Sequence, residues 1–503
     1  MLNRRSILAC SAALLAANGL ALSSQVQARN TAADTRNTIT IGMALEPPGL
    51  DPTVSAASAV AEITLYNIYE TLTKINADGS VSPLLAESWE VSPDLSSYTF
   101  RLRQGVKFHN GEPFNAEAVK YSFDRAKSSK STNKDKAIFA KLHTEVVDAH
   151  TVRITNEEIE PELLFILGQA TAIIVEPRSV ARNTSAPTGT GPYRLQRWSR
   201  GTSLTLKRWE EYPRLGQLRI ETATFRFISD PAAQMAALLA GDVDVFPRVS
   251  PRSVSQFESN PQYQVVVSGS RAKTILAVNH RREPLGDVRV RRAMAAAIDR
   301  EIVIDAAGDG LGTPIGSHYV PGMFGYLDTT GINPYDPDRA IGLLKEAGVQ
   351  TPLKLRMALP PPPYARQGGI VIAAMLRHVG IEVELQNVEW AQWLSNVMGQ
   401  HNFDLTLISH VEPFDLGNYA NPNYYWGYDS EAFRALWAQI KTATRPTERA
   451  RLLGNAQRML AEDAANVFLY QPQWVTVAHR DVRGLWRDMP VFVNDLSGLR
   501  WIS

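Results

Sequence analysis

The chain has 503 residues, 44% of them hydrophobic and 20% charged, and its formal net charge is +1. That apolar share can bury a large core, and the length corresponds to about three domains of roughly 150 residues each. Near neutrality excludes a global field that draws nucleic acid or an acidic membrane, so specificity has to reside in a local site.

Arg4 and Arg5 precede an apolar segment from Ile7 to about Leu22, and Val26-Gln27-Ala28 supplies a small-residue cleavage pattern. The expectation is a signal peptide over residues 1–28, cleaved after Ala28. The paired arginines followed by Ser6, Ile7 and Leu8 resemble a twin-arginine leader, with an ordinary charged leader as the alternative. Asn18 and Gly19 make the segment too polar for a retained membrane span, and it is also short for one. The one cysteine, Cys10, lies inside this leader, which leaves the exported chain no thiol, disulfide or thiolate-bound metal. Only four residues separate Arg5 from Cys10, too few for an apolar stretch ahead of a lipidation site. A soluble exported protein is expected.

Thr38 to Leu45 reads as a first strand, ended by the turn Glu46-Pro47-Pro48-Gly49-Leu50-Asp51. Ala56 to Lys74 carries Ile63, Tyr66, Ile68 and Leu72 at helical spacing, which predicts a helix. Tyr98, Phe100 and Leu102 alternate with polar residues, as in a strand buried on one face. Asn110-Gly111 then marks a tight turn, and Asn115 can cap a helix whose apolar face is Val119, Phe123 and Ala126. Further on, Asp230-Pro231 opens a helix that Gly241 closes, and Asp336-Pro337 opens another that ends near Gly348. Pro446 to Asp463 is an amphipathic helix and Val467 to Tyr470 a buried strand. Strands and capped helices in alternation make an α/β protein.

Between Gln386 and Tyr428, Trp390, Trp393, Phe403, Phe414, Tyr419, Tyr424, Tyr425 and Trp426 surround His410, Glu412 and Asp415. Aromatic walls with a few charged groups are what a concave small-molecule site needs, although each aromatic taken alone also reads as core. The nine histidines show no metal-ligand spacing, no Gly-x-Ser-x-Gly elbow is present, and Gly308 to Gly312 lacks a P-loop lysine. Arg289, Arg291 and Arg292, beside Asp287, read as an ion-paired or solvated face rather than a phosphate site. No catalytic, metal or cofactor constellation emerges, and an enzyme is not expected.

The run from Leu84 to Ala126 resembles the family 5 solute-binding proteins of bacterial ABC importers, the group of dipeptide-, oligopeptide- and nickel-binding proteins. Gly189 to Leu195, Leu204 to Arg208 with Tyr212, Asp230 to Asp244, Asn279 to Arg300 and Tyr335 to Gly348 carry the same resemblance in order, from about Thr38 to Gly484. It implies a type II periplasmic-binding-protein fold with two lobes, a hinge and an extra inserted domain (cluster C). The first lobe would comprise residues 37–75, 189–273 and 482–503, the insertion residues 76–188, and the second lobe residues 274–481. Pro187 to Pro192 would be a crossing, Pro360 to Pro363 a surface loop, and Trp486 and Trp501 would pack in the first lobe.

The same resemblance implies a monomer in the periplasm that closes on a small-molecule or short-peptide ligand and delivers it to a membrane ABC permease, without nucleic acid or cofactor. In peptide-binding relatives an aspartate of the second lobe pairs with the ligand's α-amino group. Here that position falls at or beside Pro413, the nearest acids are Glu412 and Asp415, and His410 stands where a tryptophan is usual. The expected ligand-binding residues are Trp390, His410, Glu412, Phe414, Asp415 and Tyr424. Glu412 reads either as the partner of a ligand cation or as a solvated loop residue, and Asp415 as a ligand contact or a cap. Asn279 reads as structural. A short peptide is the expected ligand, with an opine, sugar or metal chelate as the alternative and a hydrolase as the reading from another class.

Overall fold

A computed structural model describes residues 36–55, 57–250 and 254–502. The signal-peptide reading over residues 1–28 lies outside them. A twelve-stranded mixed sheet is the backbone of the molecule. From one edge it runs through Ile381–Asn387, Leu353–Leu359, Leu405–His410 and Lys273–Val278 to the long strand Val467–His479. It continues through Val245–Val249, Thr38–Met43, Thr222–Phe227 and Ser203–Arg208 to Tyr193–Ser199.

The long strand joins the two lobes. Its first part pairs with Lys273–Val278, in the register Thr274 to Tyr470 and Leu276 to Val467. Its second part pairs with Tyr263–Gly269, from Tyr263 opposite His479 to Gly269 opposite Gln473. Pro472 falls between these two parts. In the second lobe, successive residues of Lys273–Val278 face opposite ways into two cores. Ile275 and Ala277 pack with Ile408 and Phe468, and Leu276 and Val278 with Leu405, Leu407 and Leu469. A strand buried on both faces reads as continuously apolar.

The first lobe draws its core from both ends of the described chain, with Ile39 and Ile41 packed alongside Leu496 and Leu499, and Trp486 and Trp501 lying against it. A separate four-stranded antiparallel layer, Ala86–Val91, Ser97–Leu102, Thr151–Asn156 and Leu142–Asp148, has its own core of Phe100, Phe123, Phe139 and neighbours. The alternation read at Tyr98, Phe100 and Leu102 places all three inside. Asn115 accepts the Ala118 amide, Asp230 the Ala233 amide and Asp336 the Arg339 amide, each capping its helix.

Two expectations change. The helix expected from Ala56 to Lys74 is confined to Ser58–Thr64. Leu65 is extended and Tyr66 takes φ 61, so the chain turns back on itself and next forms the strand Thr73–Ile75. Close approach enforces the turn: a Cβ on Gly189 would stand 2.0 Å from the Ile68 carbonyl oxygen, and one on Gly191 2.4 Å from that of Asn67. Ile63, Tyr66, Ile68 and Leu72 are still buried, so helical spacing reported burial and not the backbone that achieves it. The proline run also does more than form a loop, because Pro363 opens the helix Pro363–His378.

Candidate ligand-binding cleft

A cleft of about 810 Å³ opens where the two lobes and the four-stranded layer meet. Its lining comes from the segments 52–55, 57–61, 134–171, 411–418 and 489–492, joined by Arg271, Tyr319, Trp437, Arg449 and Trp474. Trp474 and Phe492 stack at 5.3 Å with their planes 28° apart, forming a flat apolar wall. Arg248 is held in the left-handed region at φ 57 and sets its guanidinium 5.6 and 5.2 Å from these two rings. It also pairs with the buried carboxylate of Glu62. Contacts cross the cleft: Phe165 meets Phe414 edge-on at 4.9 Å, Arg449 pairs with Glu162, and Lys441 lies 3.8 Å from Glu158.

Beneath the segment 411–418 lies a closed polar cluster. The turn after Leu405–His410 carries the Asp415 carboxylate inward, where Lys273 Nζ donates to it at 2.5 Å. His318 Nε2 stands 2.9 Å and His410 Nδ1 3.1 Å from its other oxygen. The far nitrogens are also engaged, His410 Nε2 by the Tyr425 hydroxyl at 2.9 Å and His318 Nδ1 by that of Tyr419 at 3.2 Å. Asn466 donates to the Tyr419 hydroxyl at 2.7 Å. Burial opposes ionisation of Asp415, but His318, Lys273 and the histidine hydrogen bonds outweigh it and hold the carboxyl well below its ordinary range. Burial pulls His318 down to about 4 against the opposing pull of Asp415.

His318, His410 and Asp415 could each offer a ligand atom to a metal ion, since these atoms lie within 4.8 Å of one another. The Lys273 ammonium already supplies the positive charge at this carboxylate, and a cation would have to displace it. As built, the cluster is an internal ion pair with its hydrogen bonds satisfied. The sequence showed no such grouping because its members come from four separate parts of the chain.

Of the six residues expected to touch a ligand, Glu412, Phe414 and Asp415 line the cleft. Glu412 is exposed and its main-chain oxygen accepts from Lys273 at 2.5 Å. Its carboxylate has no ion-pair partner among the described residues. Phe414 is half-buried against Phe165, and Asp415 is engaged inside the polar cluster. His410 does not line the cleft, because both ring nitrogens are turned to Asp415 and Tyr425. Tyr424 packs on Trp426 at 4.5 Å, away from the lining. Trp390 is 43% exposed, edge-on to Trp393, and is likewise outside the cleft. For Trp393, Phe403, Tyr419, Tyr425 and Trp426 the core reading holds.

Sequence reasoning passed over Trp474, Phe492, Trp437 and Arg271. The usable signal was topological: residues where strands pass from one lobe to the other have to border the space between them. Asn279 bonds the carbonyls of His401 and Phe403, a structural role. Arg291 is buried among the carbonyls of Leu285, Gly286, Asp463 and Ala464, and Arg289 pairs with Asp287 at 2.6 Å. Neither is free for phosphate.

The profile of the bacterial extracellular solute-binding proteins, family 5 Middle, matches residues 80–439. The chain is 28% identical over 502 residues to di/tripeptide-binding protein 2 of Pseudomonas aeruginosa, covering 90% of this chain and 93% of that one. It superposes on the binding protein AgaA of A. tumefaciens R10, solved in complex with agropinic acid, with a TM-score of 0.77 at 26% identity, covering 93% of this chain and 99% of that one. It also superposes on HbpA2 of Haemophilus parasuis with a TM-score of 0.84 at 23% identity, covering 93% and 100%.

Proposed function

The chain belongs to the bacterial extracellular solute-binding proteins of family 5, and from that premise we propose that it captures a short peptide between its lobes and delivers it to the permease of an ABC importer. Its fold is the type II periplasmic-binding fold, with two lobes, a hinge and an extra inserted domain. Members of the family are binding components of transport systems and not enzymes, which sets the hydrolase reading aside.

The observation that carries the ligand reading is the cleft itself. A volume of about 810 Å³ lies within the range of pockets that enclose a small ligand. The stacked Trp474 and Phe492 offer apolar area without demanding one side chain, and Glu412 offers an uncompensated carboxylate for a ligand ammonium. A ligand touching both sides binds the closed form better than the open one, so it shifts the population toward closure, which a permease can read. The contacts of Phe165 with Phe414 and of Glu162 with Arg449 then belong to the closed form.

Export to the periplasm, removal of a leader near Ala28 and a monomeric state are parts of this reading. So is the division into residues 37–75, 189–273 and 482–503, the insertion 76–188 and the lobe 274–481, supported in outline by the separate apolar cores, with Ala478 of the expected second lobe and Ile173 and Val175 of the expected insertion packing instead in the first-lobe core. A second reading, an opine-like ligand, is favoured by one observation. Lys273 already compensates Asp415, so this acid draws no ammonium from a ligand.

Native mass spectrometry of protein taken from the periplasm tests both. A ladder of masses fitting two to five amino-acid residues supports the peptide. A single discrete mass fitting an opine, sugar or metal chelate removes the peptide reading and keeps the importer.

A further inference from the structure

Most charged side chains that line the cleft already have a partner. Lys141 and Lys441 share Glu158, Arg449 holds Glu162, and Asp415 holds Lys273. Arg271 differs. It is half-buried, and among the described residues no carboxylate lies within ion-pair distance of it. Its one hydrogen bond runs from Nη2 to the main-chain oxygen of Asp78 at 3.3 Å, which leaves the other N–H groups of the guanidinium free.

The guanidinium is also held in place. A Cβ on Gly79 would lie 2.5 Å from Nη2, and one on Gly322 would lie 3.1 Å from Nη1, so two glycine turns close against its edges. The two turns belong to different parts of the fold, one beside the strand Thr73–Ile75 and the other following Tyr319. Asp488 and Asp78 raise its pKa from beyond contact distance, but burial outweighs them and pulls it below the ordinary arginine value. Asp488 meanwhile accepts the Gly269 amide at 3.2 Å. A fixed, half-buried cation with free paired donors is suited to a planar anion.

We propose that Arg271 receives a carboxylate of the ligand, so that the cleft selects solutes with an anionic end. This rests on the cleft being the ligand site, and it names a ligand class that includes a peptide's C-terminus and the acids of an opine.

Three probes test it by calorimetry: alanylalanine, its C-terminal amide, and N-acetylalanylalanine, each against wild type, Arg271→Gln and Arg271→Lys. The expected result is that R271Q weakens both carboxylate probes tenfold or more and the amide less than twofold, with R271K between the two for the carboxylate probes. The amide serves as the folding control within the same variant; where the amide does not bind wild type, an unchanged melting temperature of R271Q serves instead. Equal loss for all three probes, no loss for the carboxylate probes, or wild type that binds neither carboxylate probe would overturn the assignment. Binding of the acetylated probe but not the amide, lost in R271Q, would reject recognition of a free amine while sustaining Arg271.

Discussion

Two acids three residues apart on one loop have opposite surroundings. Asp415 is buried, paired with Lys273 and bonded by His318 and His410, whereas Glu412 is exposed on the cleft with no ion-pair partner among the described residues. A buried pair is strongly needed by the fold once it exists, because removing one member strands the other in low dielectric. A lone carboxylate at the edge of a cleft costs the fold little and remains available. The lesson is that a charged residue near a site reports on function through its existing partners more than through its position.

The largest expected effect comes from breaking the internal pair. Asp415→Asn and Lys273→Met should each lower stability by about 3–5 kcal/mol, read from denaturant unfolding. The double variant should be closer to wild type than either single one, since no charge is left alone. Additive losses would break the comparison, as the two would then not be acting as a pair.

The next effect is on pH dependence. His318, held at about 4 by burial, stays neutral in the fold while the unfolded chain takes up its proton near 6.5. The unfolded state therefore binds more protons as pH falls, and stability should drop between about pH 6.5 and 4. The loss should be about 1.4 kcal/mol per pH unit for each such histidine. His109, lowered to about 4, and His280, to about 3, both chiefly by burial, act in the same direction. Urea unfolding at pH 7 and pH 5 measures the summed slope, and a flat profile would mean that solvent reaches these histidines in the fold.

Glu412→Gln should leave stability within about 0.5 kcal/mol while weakening binding of an amine-bearing ligand by about 2 kcal/mol. Calorimetry with alanylalanine reads the second number, and unchanged affinity would return Glu412 to the solvated loop. Among the aromatics, Trp474→Ala should weaken binding by about 1 kcal/mol through loss of the stacked wall. Trp390→Ala should change affinity by less than about 0.5 kcal/mol, and a larger change would place Trp390 at the ligand after all.

Much of the fold was legible in residue order. Asn115, Asp230 with Pro231, and Asp336 with Pro337 marked helix starts correctly because capping is satisfied within a few residues of the cap. The segment 56–74 misled because its turn is imposed by Gly189 and Gly191, more than a hundred residues away. In the stretch 386–428, eight rings and three titratable groups lie close in sequence and so resemble a site. Most of those rings point into the second lobe, and the cleft draws its flat wall from Trp474 and Phe492 instead.

The α/β character and the family resemblance are legible in residue order, because turn and cap stereochemistry and hydrophobic alternation are local, and the same order sets Glu412, Phe414 and Asp415 on one short segment. Which of the two acids is paired inside the fold depends on packing between distant segments. Lys273 and His318 lie 142 and 97 residues from Asp415 along the chain, and they reach its carboxylate only once the second lobe has packed around it.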